Sequence, residues 1–141
     1  MRLGRTVDVT PGFCILWAFL LLVLPLKMLA ATAVAALIHE GGHWLMVRLF
    51  GGRVYGLTIG AGGMVMETSP MTPGAELLCA LAGPMGSLLV AALYRWMPLL
   101  ALCGLVQGLF NLIPLYPLDG GRALGCMVSI FREHWKNTLQ R

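Results

Sequence analysis

Four nearly charge-free stretches dominate the chain: Val9 to Leu26, Met28 to Ile38, Leu77 to Tyr94 and Trp96 to Leu118. A helix needs roughly 20 predominantly apolar residues to cross the hydrocarbon layer of a bilayer. The pattern predicts four spans, at about 12–26, 28–50, 75–96 and 98–113. Between the second and third spans, the glycine-rich stretch 51–74 breaks the helical pattern. Within it, 53–59 and 64–68 read as short strands joined through Gly60-Ala61-Gly62-Gly63, which predicts a β-hairpin. The tail 127–141 sets Met127, Ile130, Phe131 and Trp135 among Arg132, Glu133, Lys136 and Arg141, too short and too charged to span, and is predicted as an interfacial helix. The expected fold is an all-α polytopic membrane protein, one domain over residues 1–141, with a small β-hairpin between helices 2 and 3.

Composition agrees with a bilayer. Hydrophobic residues make up 58% and charged residues 11% of the 141, against roughly 25% charged in an average soluble domain. The net charge of +4 is dispersed, with no basic patch interleaved with aromatics, so a nucleic-acid partner is not expected. A cytoplasmic N-terminus places Arg2, Arg5, Arg48, Arg53, Arg122, Arg132, Lys136 and Arg141 inside and leaves Lys27 and Arg95 outside. The positive-inside rule favours that orientation, and four crossings then put both termini in the cytoplasm. Ala30, Ala31 and Ala33 would suit signal cleavage, but a cut there would enter the helix just ahead of His39, so the first segment is read as retained. Cys14, Cys79, Cys103 and Cys126 form no C-x-x-C pair and imply no disulfide framework.

The chemistry concentrates in His39-Glu40-Gly41-Gly42-His43. Residues four apart share a helix face, so His39 and His43 can aim two imidazole nitrogens at one ion while Glu40 projects from nearly the same side. That H-E-x-x-H arrangement is a zinc motif in which the glutamate takes a proton from water. Ionisable side chains in the middle of an apolar helix are costly and by default signal function. Catalytic zinc takes three protein ligands, and the candidates for the third are His134, Glu67, Glu76 and Asp119. Asp119 is the strongest, because Pro114 and Pro117 break the preceding helix and Gly120-Gly121 permit close backbone approaches. Irregular backbone at membrane depth survives only where protein or a water-filled cavity shelters it.

With these motifs the chain resembles the site-2 protease family of intramembrane zinc metalloproteases. The resemblance runs through His39-Glu40-Gly41-Gly42-His43, Ala82-Gly83-Pro84-Met85-Gly86, and Asn111 to Pro114 leading into Leu118-Asp119-Gly120-Gly121, and covers about 31–124. The small size and the lack of a recognisable PDZ or CBS domain are most similar to the minimal branch, which includes the sporulation protease that activates a sigma-factor precursor. The resemblance implies one Zn2+ held by His39, His43 and Asp119, with Glu40 as catalytic base and Asn111 as a catalytic-site donor to the substrate peptide or its oxyanion. It also implies that Gly83 and Gly86 permit tight helix packing; Gly104 and Gly108 form another small-xxx-small pair. Gly41 departs from the family, which usually carries a larger apolar residue there, and the chain has fewer helices than many relatives.

The function expected is hydrolysis of membrane-associated protein substrates near the cytoplasmic face, with a regulatory membrane protein as a further partner. On a helix descending from 28, His39 lies about 17 Å along at 1.5 Å per residue, near mid-membrane, with His43 closer to the cytoplasm. The alternative is a non-catalytic zinc-binding membrane scaffold or regulator, for which Glu40 would be superfluous. A metal transporter would want ionisable residues on several helices, and the first and third have none inside the membrane.

Overall fold

The computed structural model describes residues 6–60 and 63–139. Arg2, Arg5 and Arg141, used for the orientation, and Ala61 and Gly62 of the hairpin turn lie outside the described residues. The elements run β1 (Thr6–Val9), α1 (Pro11–Val23), α2 (Leu26–Leu49), β2 (Val54–Gly60), β3 (Gly63–Thr68), α3 (Pro73–Ala91), α4 (Pro98–Asn111) and α5 (Asp119–Leu139). Prolines punctuate them: α1, α3 and α4 each carry one in the first turn, where the missing N–H has no intrahelical partner to lose. Thr72 caps α3, its hydroxyl accepting from the Ala75 N–H, as an N-cap threonine does.

The predicted hairpin is present, but in a larger sheet than expected. β1 pairs parallel with β2, and β2 pairs antiparallel with β3, giving the order β1-β2-β3. The strand Thr6-Val7-Asp8-Val9 is only four residues long with a charge inside it, so no alternation separates it from the apolar run that follows. It pairs because β2 offers it a whole free edge.

α3 is the centre of the helical body: it packs on α2, α4 and α5, while α1 touches α2 only lightly. The buried face of α2 includes Ala35, His39, His43 and Val47, a column at steps of four. The facing column on α3 is Ala75, Cys79, Gly83 and Ser87, and rows at steps of four are the ridges that interlock when helices pack. Ala35, Val90 and Leu100 close an apolar cluster above the polar centre.

The helices refine the four-span expectation. α1 has 13 residues and α4 has 14, each about 20 Å at 1.5 Å per residue, against a hydrocarbon layer of about 30 Å. Among the described residues one helix, Pro73–Ala91, is both long and apolar enough to cross a membrane. α2 is long, at 24 residues, but carries His39, Glu40 and His43 in its middle. The outer surface is broadly apolar, with Leu22 86%, Leu26 76% and Trp96 77% exposed. Exposed apolar surface on this scale marks contact with a membrane or a partner. The tail also differs: a single amphipathic helix begins at Asp119 and runs through the segment predicted as a separate interfacial helix.

Candidate metal centre

Each histidine is set by the helix that faces it. His43 occupies space that exists because position 83 has no side chain; a Cβ at Gly83 would run into the imidazole. The helices come this close because Gly42 also lacks a side chain, its would-be Cβ lying 2.6 Å from the Ala82 carbonyl oxygen. His43 Nδ1 donates to the Cys79 carbonyl at 2.7 Å. His39 Nδ1 meets the hydroxyl of Ser87 at 2.9 Å, and Ser87 is fully buried. α4 presses on Ser87 from behind through glycines: a Cβ at Gly104 would lie 2.9 Å from the Ser87 carbonyl oxygen, and one at Gly108 would lie 3.1 Å from the Ser87 Cβ.

Asp119 arrives from the far end of the chain. After α4 the backbone turns through 112–118, with a cis Tyr116-Pro117 bond, and α5 opens on Asp119. The residue predicted to sit in irregular backbone is therefore the first of a helix, where an acidic group is favoured by the helix dipole. The close approach expected of Gly120-Gly121 is present, since side chains there would collide with the backbone of Leu112 and Leu115.

The three ligand atoms converge. Asp119 Oδ2 lies 3.0 Å from His39 Nε2 and 3.1 Å from His43 Nε2, and the two Nε2 atoms are 3.3 Å apart. A carbonyl only accepts, so the proton of a neutral His43 is on Nδ1 and its Nε2 is a lone pair. Ser87 can accept the Nδ1 proton of His39; both Nε2 atoms and Asp119 Oδ2 are then acceptors facing one another in a buried site, an arrangement suited to a cation. Donors about 2.0–2.1 Å from a tetrahedral zinc stand about 3.3 Å apart, which these spacings approach. His39, His43 and Asp119 thus fit a zinc ion by donor chemistry and by spacing.

Glu40 borders the same place. Its Oε2 is buried and has no hydrogen-bond partner, an exception that calls for an explanation in a folded protein. It lines a cavity of about 130 Å³ together with His43, Met64, Met66, Glu76 and Arg122. Arg122 holds its guanidinium 3.8 Å from Asp119 Oδ1.

The other candidates fall elsewhere. Glu67 lies on β3 beside Gly56, His134 is exposed on α5, and Glu76 is exposed at the start of α3, at the rim of the cavity. Asn111 donates its amide to the Gln107 carbonyl at 3.1 Å, within its own helix. Sequence reasoning did not single out Ser87, Arg122 or the Cys79 carbonyl. The signal for Ser87 and Cys79 was their spacing of four on either side of Gly83, on one face of α3.

A helix-borne His-Glu-x-x-His pair closed by an aspartate from a later helix makes a candidate His-His-Asp metal site inside a helical bundle. No family model matches the chain. It is 30% identical, over 139 aligned positions and 88% of its own length, to a zinc metalloprotease of Methanocaldococcus jannaschii, and it spans 38% of that relative's length. Its fold matches the solved site-2 protease from Methanocaldococcus jannaschii with a TM-score of 0.76, at 22% identity over 92% of this chain and 70% of that one. The chain is thus similar in sequence to a zinc metalloprotease and shares the fold of a site-2 protease.

Proposed function

We propose that the chain is an intramembrane zinc metalloprotease that hydrolyses peptide bonds of membrane-associated proteins near the cytoplasmic face, as in regulated proteolysis. The observation that carries this reading is the convergence of His39 Nε2, His43 Nε2 and Asp119 Oδ2 beside Glu40, whose Oε2 has no hydrogen-bond partner, inside a bundle with an apolar exterior. His39, His43 and Asp119 hold one zinc ion. When bound, zinc supplies Lewis acidity, which eases the deprotonation of water at neutral pH and polarises a carbonyl.

Glu40 acts as the base. Its free oxygen accepts the proton of the attacking water and delivers it to the leaving amine. The Cys79 carbonyl fixes the tautomer of His43 with its Nε2 lone pair inward, and Ser87 orients the His39 ring and can accept its Nδ1 proton. Asn111 is the donor to the substrate backbone in this reading, and it must release the Gln107 carbonyl to serve.

A helical substrate hides its carbonyls in its own hydrogen bonds and must unwind to be cut. β2 is paired on both sides, so the strand that receives the unwound segment is β3, whose Met64 and Met66 line the cavity beside Glu40. In this arrangement α1 to α4 all traverse the bilayer, the short α1 and α4 with local thinning. Both termini are cytoplasmic, and a second membrane protein regulates access to the site.

The test is to purify the chain, measure bound zinc, and assay cleavage of membrane-tethered substrates. Glu40→Gln should retain zinc and lose cleavage by about 10²–10⁴-fold, the range for removing a general base. Zinc bound by a wild type that cleaves no credible substrate, with any partner added, sinks the protease reading in favour of a zinc-binding scaffold.

A further inference from the structure

Gly41 is the one glycine of the motif helix that packing does not require. Gly42 is pressed against Ala82, whereas a Cβ at Gly41 would meet nothing within 4 Å. The open space belongs to a second cavity, of about 420 Å³, between α2 and the sheet. Gly41 and Trp44 of α2 line one side, and Leu57, Met64 and Met66 of the sheet line the other. Glu40, Met64 and Met66 line both this groove and the metal cavity. The two spaces therefore meet at the proposed base.

We propose that this groove is the specificity subsite of the reaction, that it receives a large apolar side chain of the substrate next to the scissile bond, and that Gly41 keeps it open. The inference rests on the protease reading above and names its substrate class. Geometry selects the occupant. A peptide whose carbonyl lies against His39, His43 and Asp119 lies beside Glu40, and the groove that adjoins Glu40 on the sheet side is walled mainly by apolar side chains. A side chain at position 41 would project into that space alongside the substrate residue. A helix with one glycine fewer would be more regular, so the glycine is explained by the room it leaves.

The test uses zinc-loaded protein in detergent and a series of peptide-like hydroxamates, which anchor on a protease zinc, bearing methyl, isobutyl or benzyl next to the zinc-binding group. Affinity is read by calorimetry and zinc by metal analysis. Wild type should bind the isobutyl and benzyl compounds at least about tenfold more tightly than the methyl compound, since a pocket already achieves that for a single methylene. Gly41→Leu should collapse this ratio towards one at full zinc content, and Gly41→Ala should reduce it part of the way.

Affinity independent of the side chain in wild type, or a ratio unchanged in Gly41→Leu, overturns the subsite and leaves the metal centre standing; a lipid or detergent chain as the true occupant gives the second of these results. Failure of every hydroxamate to bind zinc-loaded wild type overturns the protease reading, and the subsite falls with it.

Discussion

At the scale of single residues, three small side chains near the metal centre differ in what they hold. Gly83 has no room for a methyl group, because the His43 imidazole fills the space. Gly83→Ala should push that ring off the position where its Nε2 meets Asp119 and reduce zinc affinity by more than the 10–100-fold typical of changes to groups that support a ligand. Ser87→Ala removes only the partner of His39 Nδ1 and should fall within that 10–100-fold range, with the fold retained. Gly41 is open, so Gly41→Ala should leave zinc binding intact and stabilise the helix by about 0.5–1 kcal/mol. Competitive zinc titration and thermal melts of the three variants separate these cases. Equal loss of zinc in Gly83→Ala and Gly41→Ala would contradict the close packing of α3 on His43.

At the scale of elements, the decisive join is where α5 meets the turn that precedes it. Asp119 reaches the two histidines because Gly120 and Gly121 let the first turn of α5 lie directly on the backbone of 112–116. Gly120→Ala must lift that helix end away, and the expected outcome is loss of zinc comparable to Asp119→Ala, although no ligand is altered. Metal analysis of both variants is the check, with Glu76→Ala, at the cavity rim, keeping its zinc.

What could be read from the sequence divides along the same line. His39, Glu40 and His43 were legible because their geometry is local to one helix, and Asp119 because two prolines and two glycines around it announce a broken backbone. The continuous α5 was not legible, since those prolines look the same whether a loop or a new helix follows. β1 was missed because four residues carry too little alternation to register. Ser87 and Gly41 take their meaning from another element across the core or across a groove, and no spacing within their own helices states it.

At the scale of the whole molecule, the candidate metal centre ties together distant parts of the chain. α2 supplies two donors and α5 the third, 80 residues later, while α3 lies between them and contacts both. Without a cation, hydrogen bonds between the imidazoles and Asp119 join α2 to the start of α5. A bound ion replaces them with a crosslink between the two helices. Ligand linkage puts the gain at about 4 kcal/mol when free zinc is a thousandfold above its dissociation constant. Chelation should therefore lower the melting temperature of wild type and raise proteolytic susceptibility first in α5, with both effects reversed by added zinc. Glu40→Gln should respond to zinc as wild type does, because Glu40 lies outside the proposed ligand set, whereas Asp119→Ala should lose most of the response. A melting temperature indifferent to chelator in fully zinc-loaded wild type would mean that α5 is held by its packing on α3 alone, and that the ion serves chemistry without serving the fold.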